Sequence, residues 1–355
     1  MKKSYLMIAA VAILAACSSN DTFKDVEEDA IIGFGQSATE KATRAELDMT
    51  WFRTLNNAFG VYGYKNDAAI FTNENVYCSD ANSPYMWSHA TIRFWDKAAA
   101  DAYDFYAYAP FTGTTNTEGT NPTFSKSTGF TFTGIPVIAD ITDAGADKAV
   151  ANAVENIDYD DDRLHAGHSN SPTVQFVFNH ILSKLSFKIK TDVQSTVATF
   201  TVKKIEINFP TATGVQWAET DSNDPAGVTT YTGYTPKDGN YDFTVFEGSQ
   251  AVTNSAAALT NAHTYIVTPV NSTVKKHEFD VKVTYDILYA DTTAENDCIA
   301  TGTIGTGEPA ANTYTPAQNQ YYIAVININP EKIEFCVEGV DEWDPETPVG
   351  PVDVK

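Results

Sequence analysis

ILSKLSFKIK, residues 181 to 190, decides the fold class. Leu185, Phe187 and Ile189 fall on one side of an extended chain, and Ser186, Lys188 and Lys190 fall on the other. A period of two residues marks a strand with one buried face. His180, just ahead of the run, reads as a structural histidine. The same alternation returns at Phe279, Val281, Val283, Tyr285 and Ile287, with Asp280, Lys282, Thr284 and Asp286 turned outward.

Further strands read outward from these two. Towards the C-terminus they are Val202 to Phe209, Tyr241 to Val245, Tyr265 to Val267 stopped by Pro269, Tyr321 to Ile328, and Ile333 to Val337. Towards the N-terminus they are Phe59 to Tyr64, a run within Trp87 to Trp95, and Tyr103 to Ala109 ended by Pro110. Short strands at Phe124, Phe130, Phe132 and Ile135 to Ile138 follow, separated by polar loops. Ala144 to Ala153 is Ala-rich and reads as a short helix. No long 3.6-residue period appears after the leader. Short strands at close spacing predict an all-β sandwich architecture. At 355 residues, two domains are expected. The Ser/Asn/Pro punctuation from Ser169 to Thr173 divides them, into 30–172 and 173–355.

The formal net charge is -23. If Lys2 and Lys3 leave with the leader, 46 acids face 21 bases, about -25. Such a chain repels nucleic acid and anionic lipid surfaces, so neither is an expected partner. No nucleophile elbow, metalloprotease helix, phosphate loop or dinucleotide loop is present, and no carboxylate pair stands out, so no enzyme and no cofactor is expected. DYDDD, Asp158 to Asp162, lacks the glycine and distal glutamate of a calcium loop and reads as solvated. His165 and His168 beside it are thin support for a metal, and none is assigned. After Cys17, the cysteines are Cys78, Cys298 and Cys336, so at most one disulfide can form.

The N-terminus carries the functional signal. Lys2 and Lys3 precede an apolar stretch, Tyr5 to Ala15, shorter than the ~20 residues of a membrane-spanning helix. It reads as a secretory leader, residues 1–16. Leu14-Ala15-Ala16-Cys17 has the form of a bacterial lipobox, which would make Cys17 the lipid-bearing first residue. Residues 17–29 are polar and acidic and read as a tether. AIIGFGQSATEKATRA, residues 30 to 45, then holds a short strand, with Ile32 and Phe34 on one face and Gly33 and Gly35 on the other. Gln36 to Thr43 has no apolar side chain larger than alanine and reads as an exposed loop, open to proteolysis. It leads to Arg44. A strand that packs and can then be cut away is the expectation.

Five segments together resemble the Bacteroidales fimbrillin family, which comprises surface fimbria subunits and their minor adhesin-like relatives. They are LAAC at Leu14 to Cys17, the strand, linker and arginine from Ala30 to Arg44, YDFYAYAP at Tyr103 to Pro110, FNHILSKLSFKI at Phe178 to Ile189, and the closing strands through Trp343. The resemblance implies two consecutive transthyretin-like β-sandwich domains. It also implies a lipid on Cys17, an outer-membrane-anchored precursor at the cell surface, and an arginine-directed protease that cuts between Arg44 and Ala45. Ile31, Ile32 and Phe34 would form the removable strand, and a strand from the next fimbrial subunit would fill the groove. A second reading is a non-polymerising surface lipoprotein adhesin that binds host protein, or glycans through exposed aromatics such as Trp51, Trp87, Trp95 and Trp217.

Overall fold

The computed structural model describes residues 31–36, 47, 49–82, 86–97, 102–112, 121–143, 145–165, 173–219, 227–306, 313–329 and 333–340. Among them the regular structure is nearly all strand. In chain order the strands are β1 (Gly33–Gln36), β2 (Ala58–Lys65), β3 (Ala68–Asp80), β4 (Met86–Ser88), β5 (Tyr103–Ala109), β6 (Thr123–Ser125), β7 (Gly129–Thr133) and β8 (Ile138–Asp140). Next come β9 (Ala149–Ala151), β10 (Val154–Ile157), β11 (Thr173–Phe176), β12 (Phe178–His180), β13 (Ser183–Lys190), β14 (Ala198–Asn208), β15 (Gly214–Ala218) and β16 (Val228–Thr232). The last are β17 (Phe243–Ala251), β18 (Ala257–Ala258), β19 (Tyr265–Val267), β20 (Phe279–Tyr289), β21 (Ala294–Ile304), β22 (Tyr321–Ile328) and β23 (Ile333–Val340). Two single-turn helices, α1 (Met49–Phe52) and α2 (Asp162–His165), complete the set.

In one sheet, ordered β12-β9-β5-β2-β3-β4 with β10 beside β5, the central strands β9, β5 and β2 are buried on both faces. Strand β5 shows why its sequence is almost continuously apolar. Tyr103, Phe105, Ala107 and Ala109 enter one core, and Tyr106 and Tyr108 enter the other. A run without a polar face is what a doubly covered strand requires. Close packing also fixes a glycine. Gly60 lies opposite Tyr108, and a Cβ there would sit 2.2 Å from the tyrosine ring. The Ala-rich stretch read as a helix is instead strand β9. Ala149 and Ala151 face one core and Val150 the other, between β5 and β12. Tertiary pairing overrides alanine's helical preference here.

The parallel pair β1-β11 covers one face of this sheet. The small sheet β16-β15-β7-β6 covers the other: Phe130 and Phe132 pack edge-on against Tyr108, and Phe132 against Trp217. The remaining strands form two sheets, β23-β22-β13-β19-β8 with β18 beside β13, and β17-β14-β20-β21. Phe187 of β13 and Phe279 of β20 meet edge-on at 6.4 Å. This all-β arrangement is compatible with two transthyretin-like sandwiches. Strand pairing nonetheless crosses residue 172. β11 and β12 complete the N-terminal unit, while β7 pairs with β15 and β8 with β19. A cut at the Ser169 to Thr173 punctuation therefore runs through both units.

A buried polar cluster pins the C-terminal unit. His277 is fully buried, with Nδ1 3.0 Å from the Tyr234 hydroxyl and Nε2 3.2 Å from the Thr268 carbonyl. A neutral ring suits both contacts, accepting at Nδ1 and donating at Nε2. Burial pushes its pKa down from 6.5 to about 4. The folded form thus binds fewer protons than the unfolded chain between those values, so stability falls as pH drops through that window and levels off below it. Relative to pH 7, this group is expected to cost about 2 kcal/mol at pH 5. Denaturant unfolding of wild type and His277→Gln at both pH values checks it. The variant should lose that much less on acidification.

Candidate functional site

Residues 31 to 36 lie in a slot with two walls. Strand β1 pairs in parallel with β11, Gly33 opposite Thr173 and Gln36 opposite Phe176. Among the described residues, β11 has no other strand partner. The second wall is the segment after β4. Ile31 bridges Phe94 in antiparallel sense, and the Ile32 N–H donates to the Arg93 carbonyl at 2.9 Å. The Ile32 carbonyl lies 3.2 Å from His89 Nε2.

Alternation then sorts the side chains. Ile32 is fully buried, Phe34 is 3% exposed and Ile31 is half-buried. The Phe34 ring stacks at 6.1 Å on Phe176 and meets Phe71, His89 and Phe105 edge-on at 5.1, 5.2 and 5.6 Å. Aromatic pairs at these separations contribute beyond simple burial. Gly33 and Gly35 face β11. A Cβ at Gly33 would meet Thr173 at an ordinary 3.6 Å, whereas one at Gly35 would come within 3.0 Å of the Gln175 amide.

The second wall is itself braced. The Glu74 carboxylate on β3 accepts from the Ala90 N–H at 2.9 Å, the Thr91 N–H at 2.8 Å and the Thr91 hydroxyl at 2.6 Å. At the far end the Asp96 N–H donates to the Tyr103 hydroxyl at 2.7 Å, and Lys65 pairs with the Asp96 carboxylate at 2.6 Å. Sequence reasoning missed Glu74 and His89. They stand 15 positions apart on different elements, and no local spacing marks them.

Cys17, Arg44 and Ala45 lie outside the described residues, as do His168 and Trp343. Of the tryptophans considered for sugar stacking, Trp95 and Trp217 are buried. Trp87 is half-buried with its ring 5.2 Å from Phe59, and Trp51 is half-buried against Phe52. Cys78 and Cys298 are free thiols, and burial pushes the Cys78 thiol up. The acidic run makes a turn, the Asp160 N–H donating to the Asp158 carboxylate at 3.1 Å, and then enters α2 at Asp162. His180 sits in β12 with Nδ1 2.9 Å from the buried Asp147 carboxylate. Among the described residues no group of three or more potential metal ligands occurs, and no helix is long and apolar enough to cross a membrane.

The family model for fimbrillin-like proteins matches residues 43–343. The chain belongs to the fimbrillin-like family. Strand β1 lies before the matched span. This fimbrillin-like chain is 29% identical over 209 residues to fimbrium subunit Fim1C of Phocaeicola vulgatus, a match covering 54% of this chain and 52% of that relative. It thus spans about half the length of the relative it matches. A crystal structure of a fimbrial protein from Bacteroides vulgatus aligns over 88% of this chain and 99% of that one, with TM-score 0.48 and 16% identity. The tip fimbrial protein Mfa3 from Porphyromonas gingivalis aligns over 88% and 99%, with TM-score 0.35 and 12% identity.

Proposed function

We propose that this fimbrillin-like chain is a structural, non-catalytic subunit of cell-surface fimbriae that supports adhesion and is completed by a strand it later gives up. The precursor is lipidated at Cys17 and anchored in the outer membrane. An arginine-directed protease cuts between Arg44 and Ala45, residues 31–36 leave, and a strand from another fimbrial subunit takes their place. One observation carries the reading. A four-residue strand, joined to the rest by a segment reaching Arg44, fills an aromatic slot and is the sole described strand partner of β11.

The physics of removal favours replacement. Ile32 and Phe34 each contribute roughly 1.5–3 kcal/mol by burial, and losing them opens a core. β11 would also lose its paired backbone groups, which are costly to leave unsatisfied. An extended peptide that adds main-chain hydrogen bonds and fills both pockets repairs these losses together. The glycan-binding alternative loses two of its four tryptophans to the interior. N-terminal sequencing of protein sheared from native cells tests the proposal. A start at Ala45 is expected; a start at Cys17 on all assembled material would overturn it.

A further inference from the structure

We infer that His89 sets the register of the strand in the slot, with Glu74 as its positioning residue. The backbone of Ile32 is gripped at both its groups by one wall, N–H to the Arg93 carbonyl and C=O to His89 Nε2. From Gly33 onward the chain is held by the other wall, β11. Residue 32 is therefore the point where the strand passes from one partner to the next. A slip of one residue there would turn Ile32 and Phe34 outward and press their neighbours into the core.

His89 is placed for this by contacts on three sides. Its Nδ1 lies 2.9 Å from the Thr91 carbonyl, so both ring nitrogens face main-chain carbonyls and bonding both takes an N–H on each. Its ring packs edge-on against Phe34 at 5.2 Å and Phe71 at 5.7 Å. Glu74 fixes the turn that follows, through its three hydrogen bonds to Ala90 and Thr91. Because His89 Nε2 faces a main-chain carbonyl and not a side chain, the contact is indifferent to the residue at that position. The same grip would serve any strand that enters the slot, a consequence that rests on the exchange reading above. The grip on β1 does not.

Hydrogen exchange on the full-length, uncut chain tests the assignment independently of cleavage. His89→Ala is expected to speed exchange across residues 31–36 by roughly three- to tenfold, the scale of one lost hydrogen bond. His89→Phe keeps an aromatic ring but has no donor, and should match His89→Ala. His89→Gln retains a donor and should lie nearer wild type. Glu74→Ala should loosen residues 31–36 and the 89–94 wall together. Protection in β14 and β20 should be unchanged throughout. Wild-type protection of residues 31–36 in His89→Phe would reduce His89 to packing and overturn the inference. Wild-type protection in His89→Ala, or a loss spread evenly over β14 and β20, would overturn it as well.

Discussion

Cells producing the chain with Arg44→Ala are expected to hold a lipid-linked monomer and no detectable polymer. The reason is one of effective concentration. While the linker is intact, β1 competes for its own slot at millimolar effective concentration, as short tethers typically give. An incoming strand on a subunit present at about 1 μM faces a disadvantage of roughly a thousandfold, about 4 kcal/mol, before any difference in contacts. Cutting the linker removes that advantage, since a departed strand is diluted and does not return. Lys41→Ala is the control, because Lys41 lies in the same linker without being the proposed site. It should mature and assemble as wild type. The measurement is a high-mass ladder on unboiled gels with N-terminal sequencing of each species. Fimbriae of normal abundance from the Arg44→Ala strain would remove cleavage from the mechanism.

What the sequence could disclose follows from where each strand finds its partners. Most of β13 and β20 is buried on one face, so their pattern is local: Leu185, Phe187 and Ile189 alternate with Ser186, Lys188 and Lys190, and every second residue is buried from Leu185 to Lys190 and from Phe279 to Ile287. β3 and β21 carry no such pattern. Residues 294–304, AENDCIATGTI, are largely exposed and polar, and the strand exists because β20 offers it a long antiparallel ladder. Backbone pairing supplied by a neighbour leaves no mark on the paired side chains. The slot was legible in part for the same reason. Ile32 and Phe34 announce a strand with a buried face, but its parallel partner lies about 140 residues on, and nothing local encodes that meeting. The division of the units was obscured likewise. β6 to β8 leave the N-terminal unit to join β15 and β19, a crossing that Ser/Asn/Pro punctuation does not report.

Phe34→Ala is expected to destabilise the N-terminal unit by about 3–5 kcal/mol, the cost of removing a fully enclosed phenylalanine and leaving its cavity. Four aromatic rings surround this side chain, and the cavity can close only if they shift together. The loss should be local, because Phe34 belongs to the smaller core with Phe71, Phe105 and Phe176, while β14 and β20 line the larger one. Calorimetry should therefore show the transition that includes the smaller core shifted to lower temperature. Exchange protection should fall at Val174 to Phe176 while that of Ile205 and Val283 is retained. Gly33→Ala is the matched control on the same strand: its added methyl meets Thr173 at ordinary contact distance, so its effect should be small. A Phe34→Ala protein as stable as wild type would mean that the slot contributes little to the fold. A strand that contributes little can leave without creating any demand for a replacement, and strand exchange would then have no driving force.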